Sequence, residues 1–126
     1  MNAAPHIGHT LEFVQADALC RYHRLKGDDV FFLTGTDEHG VKIYEASQAA
    51  GMRTQEFVDQ NAEKYMALKE FLCLSNDDFV RTTSDLHKDG VKKIWTKMFE
   101  AGDIYKGVYK GNYCVGCEAF IPEKDL

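Results

Sequence analysis

Apolar positions along the chain recur with two alternating periods, and that alternation predicts an α/β fold. Ile7, Leu11, Val14, Ala18, Tyr22 and Leu25 are spaced by three and four residues, which predicts a helix with one apolar face, closed at Gly27. Val30-Phe31-Phe32-Leu33-Thr34 is a continuous apolar and β-branched run between Asp28-Asp29 and Gly35. It fits a buried parallel strand. Gly35-Thr36-Asp37-Glu38-His39-Gly40 follows as a polar loop at the strand's C-terminal end, where open α/β sheets bind ligands, before a helix over Val41 to Ala50 that stops at Gly51. The helical period resumes from Thr54 to Leu72 through Phe57, Ala62, Tyr65, Leu68, Phe71 and Leu72, with Thr54 as N-cap and Glu56 in the first turn. Ser75 to Asp78 reads as a turn and Phe79 to Thr83 as a short strand. Ser84 then caps a helix running through Val91, Ile94, Trp95, Met98 and Phe99 to Gly102. Gly90 inside that helix costs about 1 kcal/mol relative to alanine.

The texture changes after Ile104. Tyr105-Lys106-Gly107-Val108-Tyr109-Lys110-Gly111-Asn112-Tyr113 alternates aromatic and polar residues broken by glycines, the pattern of hairpin strands in a small appended module. The expected boundary separates residues 1–103 from residues 104–126. The second stretch runs into Cys114-Val115-Gly116-Cys117, a knuckle whose two thiolates suit one zinc ion. A structural zinc takes about four ligands, so this is half a site, and the pair also fits two ordinary free cysteines.

Composition narrows the class. With 126 residues the chain is one domain or part of one. Its 44% hydrophobic and 28% charged content is that of a soluble globular protein. The sequence lacks an apolar run long enough to cross a membrane and a basic, apolar leader, so a cytoplasmic location is expected, with no membrane partner. The net charge of -5 argues against broad non-specific nucleic-acid binding by this chain alone. Of the four cysteines, Cys20 and Cys73 are isolated, a distribution that suits a metal pair better than a disulfide framework.

The first candidate chemistry lies in Asn2-Ala3-Ala4-Pro5-His6-Ile7-Gly8-His9-Thr10. His6 and His9 are spaced to share one face of a helix's first turn, where N–H groups and the positive dipole end attract phosphate. Pro5 pre-sets the start of the helix. Gly8, without a Cβ, leaves room for a flat base against the backbone. The same stretch also fits a helix start with two surface histidines. Lys88 with Lys92, and Lys93 with Lys97, form basic rows that fit a solvated face better than a phosphate site.

His6-Ile7-Gly8-His9 and Gly35-Thr36-Asp37-Glu38-His39-Gly40, with the strand and helix between them, resemble the N-terminal part of class I aminoacyl-tRNA synthetases, and specifically the methionyl-tRNA synthetase family. Arg81-Thr82-Thr83, Gly102-Asp103-Ile104-Tyr105 and Tyr113-Cys114-Val115-Gly116-Cys117-Glu118-Ala119-Phe120 extend the similarity over essentially the whole chain. The resemblance implies a Rossmann-like nucleotide-binding fold over residues 1–103 and the start of a connective insertion over 104–126. It implies activation of methionine with ATP to methionyl-adenylate, then transfer to tRNA. His6 and His9 would contact ATP and stabilise its phosphates, Gly8 would admit the adenosine, and Asp37 would hold the ammonium of methionine. Cys114 and Cys117 would be half of a zinc knuckle, and Mg²⁺ would accompany the pyrophosphate.

Departures from the family pattern lead to the expectation of a fragment. The strand that should precede Asn2, the Lys-Met-Ser-Lys-Ser loop, the later half of the nucleotide fold, the remaining zinc ligands and the anticodon-binding helices are not in the sequence. An unpaired sheet edge is expected beside Val30 to Thr34. Two other readings use the same residues: an inactive or split piece that acts only by binding, and another class I synthetase with different amino-acid selectivity.

Overall fold

The computed structural model describes residues 3–122. Two compact units divide the chain, Met1–His87 and Lys88–Leu126. The first contains α1 (Ile7–Leu25), β1 (Leu33–Thr36), α2 (Val41–Ala49), α3 (Thr54–Met66), α4 (Leu68–Phe71) and β2 (Asp78–Arg81). α5 (Asp85–Glu100) begins there and continues into the second, which also contains β3 (Asn112–Cys114) and β4 (Ala119–Ile121).

β1 and β2 pair in parallel, with Leu33 opposite Asp78 and Thr36 opposite Arg81, as expected of strands separated by helices. The approach is close: a Cβ on Gly35 would lie 2.1 Å from the Val80 carbonyl oxygen, so this position needs glycine. Among the described residues β1 pairs only with β2. The strand itself is shifted from the predicted Val30 to Thr34. Its ladder partner starts only at Asp78, and Phe32 is held instead by Asp77, whose carboxylate accepts the Phe32 N–H at 2.6 Å and whose N–H donates to the Phe32 carbonyl at 2.9 Å. Gly35 and Thr36 therefore belong to the strand rather than to the loop, and Phe79 to Thr83 shortens to Asp78–Arg81.

The core is formed by Phe32, Ile43, Val58, Ala62, Tyr65 and Leu74. α1 is anchored differently from the prediction, since Ile7, Leu11, Val14, Ala18, Tyr22 and Leu25 are all exposed. Its buried residue is Asp17, which accepts hydrogen bonds from the Ser75 N–H and hydroxyl at 2.6 Å each and from Arg21 Nε at 2.5 Å. In the last turn, Arg24 bonds the Ser75 carbonyl and hydroxyl, Asp77 and the Val30 carbonyl. These groups lead into β1 and β2, so the first turn of α1 points away from the strands' N-terminal ends. Gly27, at φ 87, closes the helix as expected.

The predicted helix from Thr54 to Leu72 is realised as α3 and α4 on either side of Ala67. Arg53, not Thr54, is the N-cap; the Thr54 hydroxyl is occupied with Ser47 Oγ at 3.0 Å, tying α3 to α2. Ser84 caps α5 as predicted, accepting the His87 N–H at 3.3 Å.

In the second unit, the apolar residues of α5 are exposed. The hairpin is antiparallel but lies later than predicted: Tyr113 faces Phe120 and Cys114 faces Ala119, whereas residues 105–111 form no strand. Tyr113 and Tyr109 both set their rings edge-on to Phe120, and that cluster, together with the Cys114 to Cys117 turn, determines where pairing starts.

Candidate functional site

His6 is the cap of α1, with extended φ −121 and ψ 176, and Pro5 precedes the cap instead of occupying the first helical position. The two histidines hold each other in a reciprocal capping box. His6 Nδ1 accepts the Gly8 N–H at 3.1 Å, His9 Nδ1 accepts the His6 N–H at 3.2 Å, and the ring centroids lie 4.0 Å apart. A ring nitrogen that accepts carries no hydrogen, so each neutral imidazole has its hydrogen on Nε2. His9 directs that N–H at the buried Tyr65 hydroxyl, 3.3 Å away, across an edge-on ring contact. His6 is exposed, and with Nδ1 accepting the Gly8 N–H its Nε2–H is the ring's remaining donor.

This changes the expectation for the helix end. The N–H groups of His6 and Gly8 are engaged by the histidines, so an imidazole donor takes the place of part of the backbone nest. Gly8 has a second reason to be glycine: a Cβ there would stand 2.8 Å from His6 Cε1 and push the capping ring aside.

The second cluster forms where β1 ends. Asp37 is exposed, and its Oδ1 lies at long range from two donors, the His39 N–H at 3.4 Å and the Thr82 hydroxyl at 3.5 Å. Gly40, at φ 121, turns the chain into α2, a conformation suited to glycine. Thr82 joins both sides of the loop: its hydroxyl accepts the Glu38 N–H at 2.8 Å, its N–H donates to the Thr36 carbonyl at 3.2 Å, and its carbonyl accepts from His39 Nε2 at 3.2 Å.

Glu38 was not singled out by sequence, yet it is the most enclosed charge of the cluster at 3% exposure. Arg81 donates to it from Nε at 2.8 Å and from Nη2 at 3.0 Å; Thr36 donates at 2.7 Å, and the Thr83 hydroxyl donates to Oε2. Burial alone raises its pKa, but the hydrogen bonds from Arg81, Thr83 and Thr36 outweigh that and hold it below the ordinary glutamate value. Arg81 Nη2 also reaches Asp59 on α3 at 2.5 Å. Hydrogen bonds to Glu38, opposed by burial and aided by Asp59, raise the Arg81 pKa further above its ordinary value.

α3 thus touches both clusters. Tyr65 meets His9 and Asp59 meets Arg81, six residues apart on one helix, which is about 9 Å of rise. The available sequence signals were a tyrosine within an apolar stripe, which does not distinguish a site residue from an ordinary core one, and an arginine in the middle of the predicted strand Phe79 to Thr83, where Arg81-Thr82-Thr83 carried the family resemblance but no role.

Cys114 ends β3 and Cys117 lies in the turn before β4; the Cys117 N–H donates to Cys114 Sγ at 3.3 Å. Such an N–H···S contact is suited to a thiolate knuckle. Among the described residues, however, no group of three or more His, Cys, Asp or Glu side chains could hold a metal, so a closed zinc site would need ligands from outside them. Among the described residues no helix is long and apolar enough to cross a membrane.

The whole sequence, residues 1–126, matches the family described as tRNA synthetases class I (M). The chain belongs to that family. It is 50% identical over 126 residues to the methionine–tRNA ligase of Thermotoga maritima, covering 100% of this chain and 20% of that protein. The corresponding ligase of Clostridium tetani is 47% identical over 125 residues, 99% of this chain and 20% of that one. A crystal structure of Mycobacterium tuberculosis methionyl-tRNA synthetase bound by methionyl-adenylate superposes with a TM-score of 0.91 at 45% identity, covering 98% of this chain and 24% of that one. The chain therefore spans about a fifth of the length of the curated relatives it matches. Its α/β fold is that of the Rossmann-like domain of class I (M) synthetases, as the two loop signatures implied.

Proposed function

We propose that this segment of a class I (M) synthetase holds ATP and methionine while methionyl-adenylate forms. The observation that carries the reading is the pair of clusters braced by α3: the imidazole N–H of an exposed histidine at a helix start and an exposed carboxylate at the C-terminal end of a parallel strand. In the reaction, a carboxylate oxygen of methionine forms a bond to the α-phosphorus of ATP as the bond from that phosphorus to the bridging oxygen breaks, and pyrophosphate leaves. No protein nucleophile is required. Catalysis rests on positioning and on donors aimed where charge develops. His6 supplies such a donor to the phosphates, His9 orients His6 through the capping box and adds its own ring, and Gly8 leaves the backbone open to the adenosine. Asp37 holds the substrate ammonium with a charge-assisted hydrogen bond.

Mg²⁺ would accompany the pyrophosphate in this scheme and offset its negative charge. Zinc, bound by Cys114 and Cys117 with ligands from elsewhere in a complete synthetase, would pin the hairpin of the connective insertion that starts at Ile104. Transfer of the methionyl group to tRNA, and a cytoplasmic location, complete the reading for the whole protein.

The test uses a complete synthetase carrying this segment and follows methionine-dependent ATP–pyrophosphate exchange. His6→Ala and His9→Ala lower kcat by about 100- to 1000-fold, while Asp37→Ala mainly raises the KM for methionine. Full activity of both histidine variants, or an unchanged methionine requirement in Asp37→Ala, defeats the assignment.

A further inference from the structure

The contacts of Asp37 with the His39 N–H and the Thr82 hydroxyl are long. The residue after it is held from every side. Glu38 receives four hydrogen bonds at its carboxylate and one fixes its N–H. The two neighbours share Thr82: its hydroxyl accepts from the Glu38 N–H and donates to Asp37 Oδ1. A shift of the Glu38 backbone therefore moves Asp37 and disturbs its contact with Thr82 together. We infer that Glu38, Arg81 and Asp59 form a clamp that positions Asp37 for the substrate ammonium, with Glu38 and Arg81 as positioning residues and Asp59 as their anchor on α3. This rests on the reading of Asp37 as the ammonium ligand.

Charge supports the same assignment. A lone guanidinium beside the loop would repel an ammonium, but Arg81 is paired with two carboxylates, Glu38 and Asp59. The trio carries one net negative charge, so the arginine does not by itself set the loop against a cation. The arrangement suits a cation at the loop while keeping the arginine rigid through its forked geometry. Asp59 is itself restrained by Gln55 Nε2 at 2.9 Å, so the anchor is a fixed point on the helix that also carries Tyr65.

The experiment compares Glu38→Gln, Asp59→Asn, Arg81→Lys and Asp37→Ala in a complete synthetase carrying this segment. Each variant is assayed for methionine KM, ATP KM and kcat in exchange, with its melting temperature. Two inhibitors are titrated: methioninol, which keeps the ammonium, and 4-methylthiobutanoate, which lacks it. The clamp predicts that Glu38→Gln raises methionine KM by about 10- to 100-fold and weakens methioninol in parallel, with ATP KM and 4-methylthiobutanoate inhibition unchanged. Asp59→Asn and Arg81→Lys show the same pattern to a smaller degree. A merely structural network lowers the melting temperature without this split between inhibitors, and that result overturns the inference. The half-exposed Asp59 gives a variant that decides the matter if Glu38→Gln does not fold. If Asp37→Ala raises methionine KM and the clamp variants do not, only the clamp fails. If Asp37→Ala itself is without effect, the reading of the ammonium site fails with it.

Discussion

Tyr65→Phe isolates one hydrogen bond at the helix start. The substitution keeps the buried ring and its edge-on contact with His9, at 5.2 Å between centroids, and removes only the hydroxyl that lies 3.3 Å from His9 Nε2. A net protein hydrogen bond contributes about 0.5–1.5 kcal/mol, and this one is long, so the low half of that range applies. At about 1.4 kcal/mol per tenfold in rate, loss of about 0.5–1 kcal/mol of restraint on the His9 ring lowers kcat about two- to fivefold. Burial pushes the Tyr65 pKa above its ordinary value, so the hydroxyl stays uncharged near neutrality. The assay is single-turnover formation of methionyl-adenylate in a complete synthetase carrying this segment, with Tyr65→Ala and His9→Ala alongside. The expected order of loss is Tyr65→Phe, then Tyr65→Ala, then His9→Ala. A Tyr65→Phe enzyme indistinguishable from its parent, while Tyr65→Ala loses activity only in step with its melting temperature, would refute the idea that the hydroxyl orients His9.

Acid should unfold the 126-residue chain early through Glu38, Asp17 and Asp59, whose pKa values are all lowered in the folded state. Their stabilisation is complete above the unfolded value of about 4 and is lost as pH falls through the lower folded values; urea midpoints across the acid range should show this, with a shallower limb in Asp17→Asn, and stability rising on acidification would contradict it. Gly35→Ala should cost about 3 kcal/mol or more, read by far-UV circular dichroism during urea unfolding, because the Val80 carbonyl occupies the space of its Cβ. Gly90→Ala, in open space within α5, should instead stabilise by about 0.5–1 kcal/mol; equal effects at the two glycines would show that backbone approach is not the determinant. Metal analysis should find weak zinc binding by the 126-residue chain and about one tightly held ion in a complete synthetase carrying it, lost in Cys117→Ser; negligible zinc in both would leave ordinary thiols.

Local features were legible where they depend on near neighbours. The existence and order of the helices followed from three-and-four spacing, the parallel sense of β1 and β2 from the helices between them, and the closure of α1 from Gly27. The helix start at His6-Ile7-Gly8-His9 was legible for the same reason, while the capping box that the two histidines make there was not read from the sequence. The site's supporting residues were not legible, since their meaning lies in partners far along the chain. Glu38 meets Arg81 across 43 residues and Tyr65 meets His9 across 56. Nothing in composition says which carboxylate of Asp37-Glu38 turns inward; only the arrival of Arg81 and Thr83 beside the loop decides that. The same holds for strand bounds. Entry of the apolar run near Val30 into a sheet was written in the chain's own pattern, whereas the start of its hydrogen bonding was settled in three dimensions, because a strand exists only where its partner runs and that partner starts at Asp78.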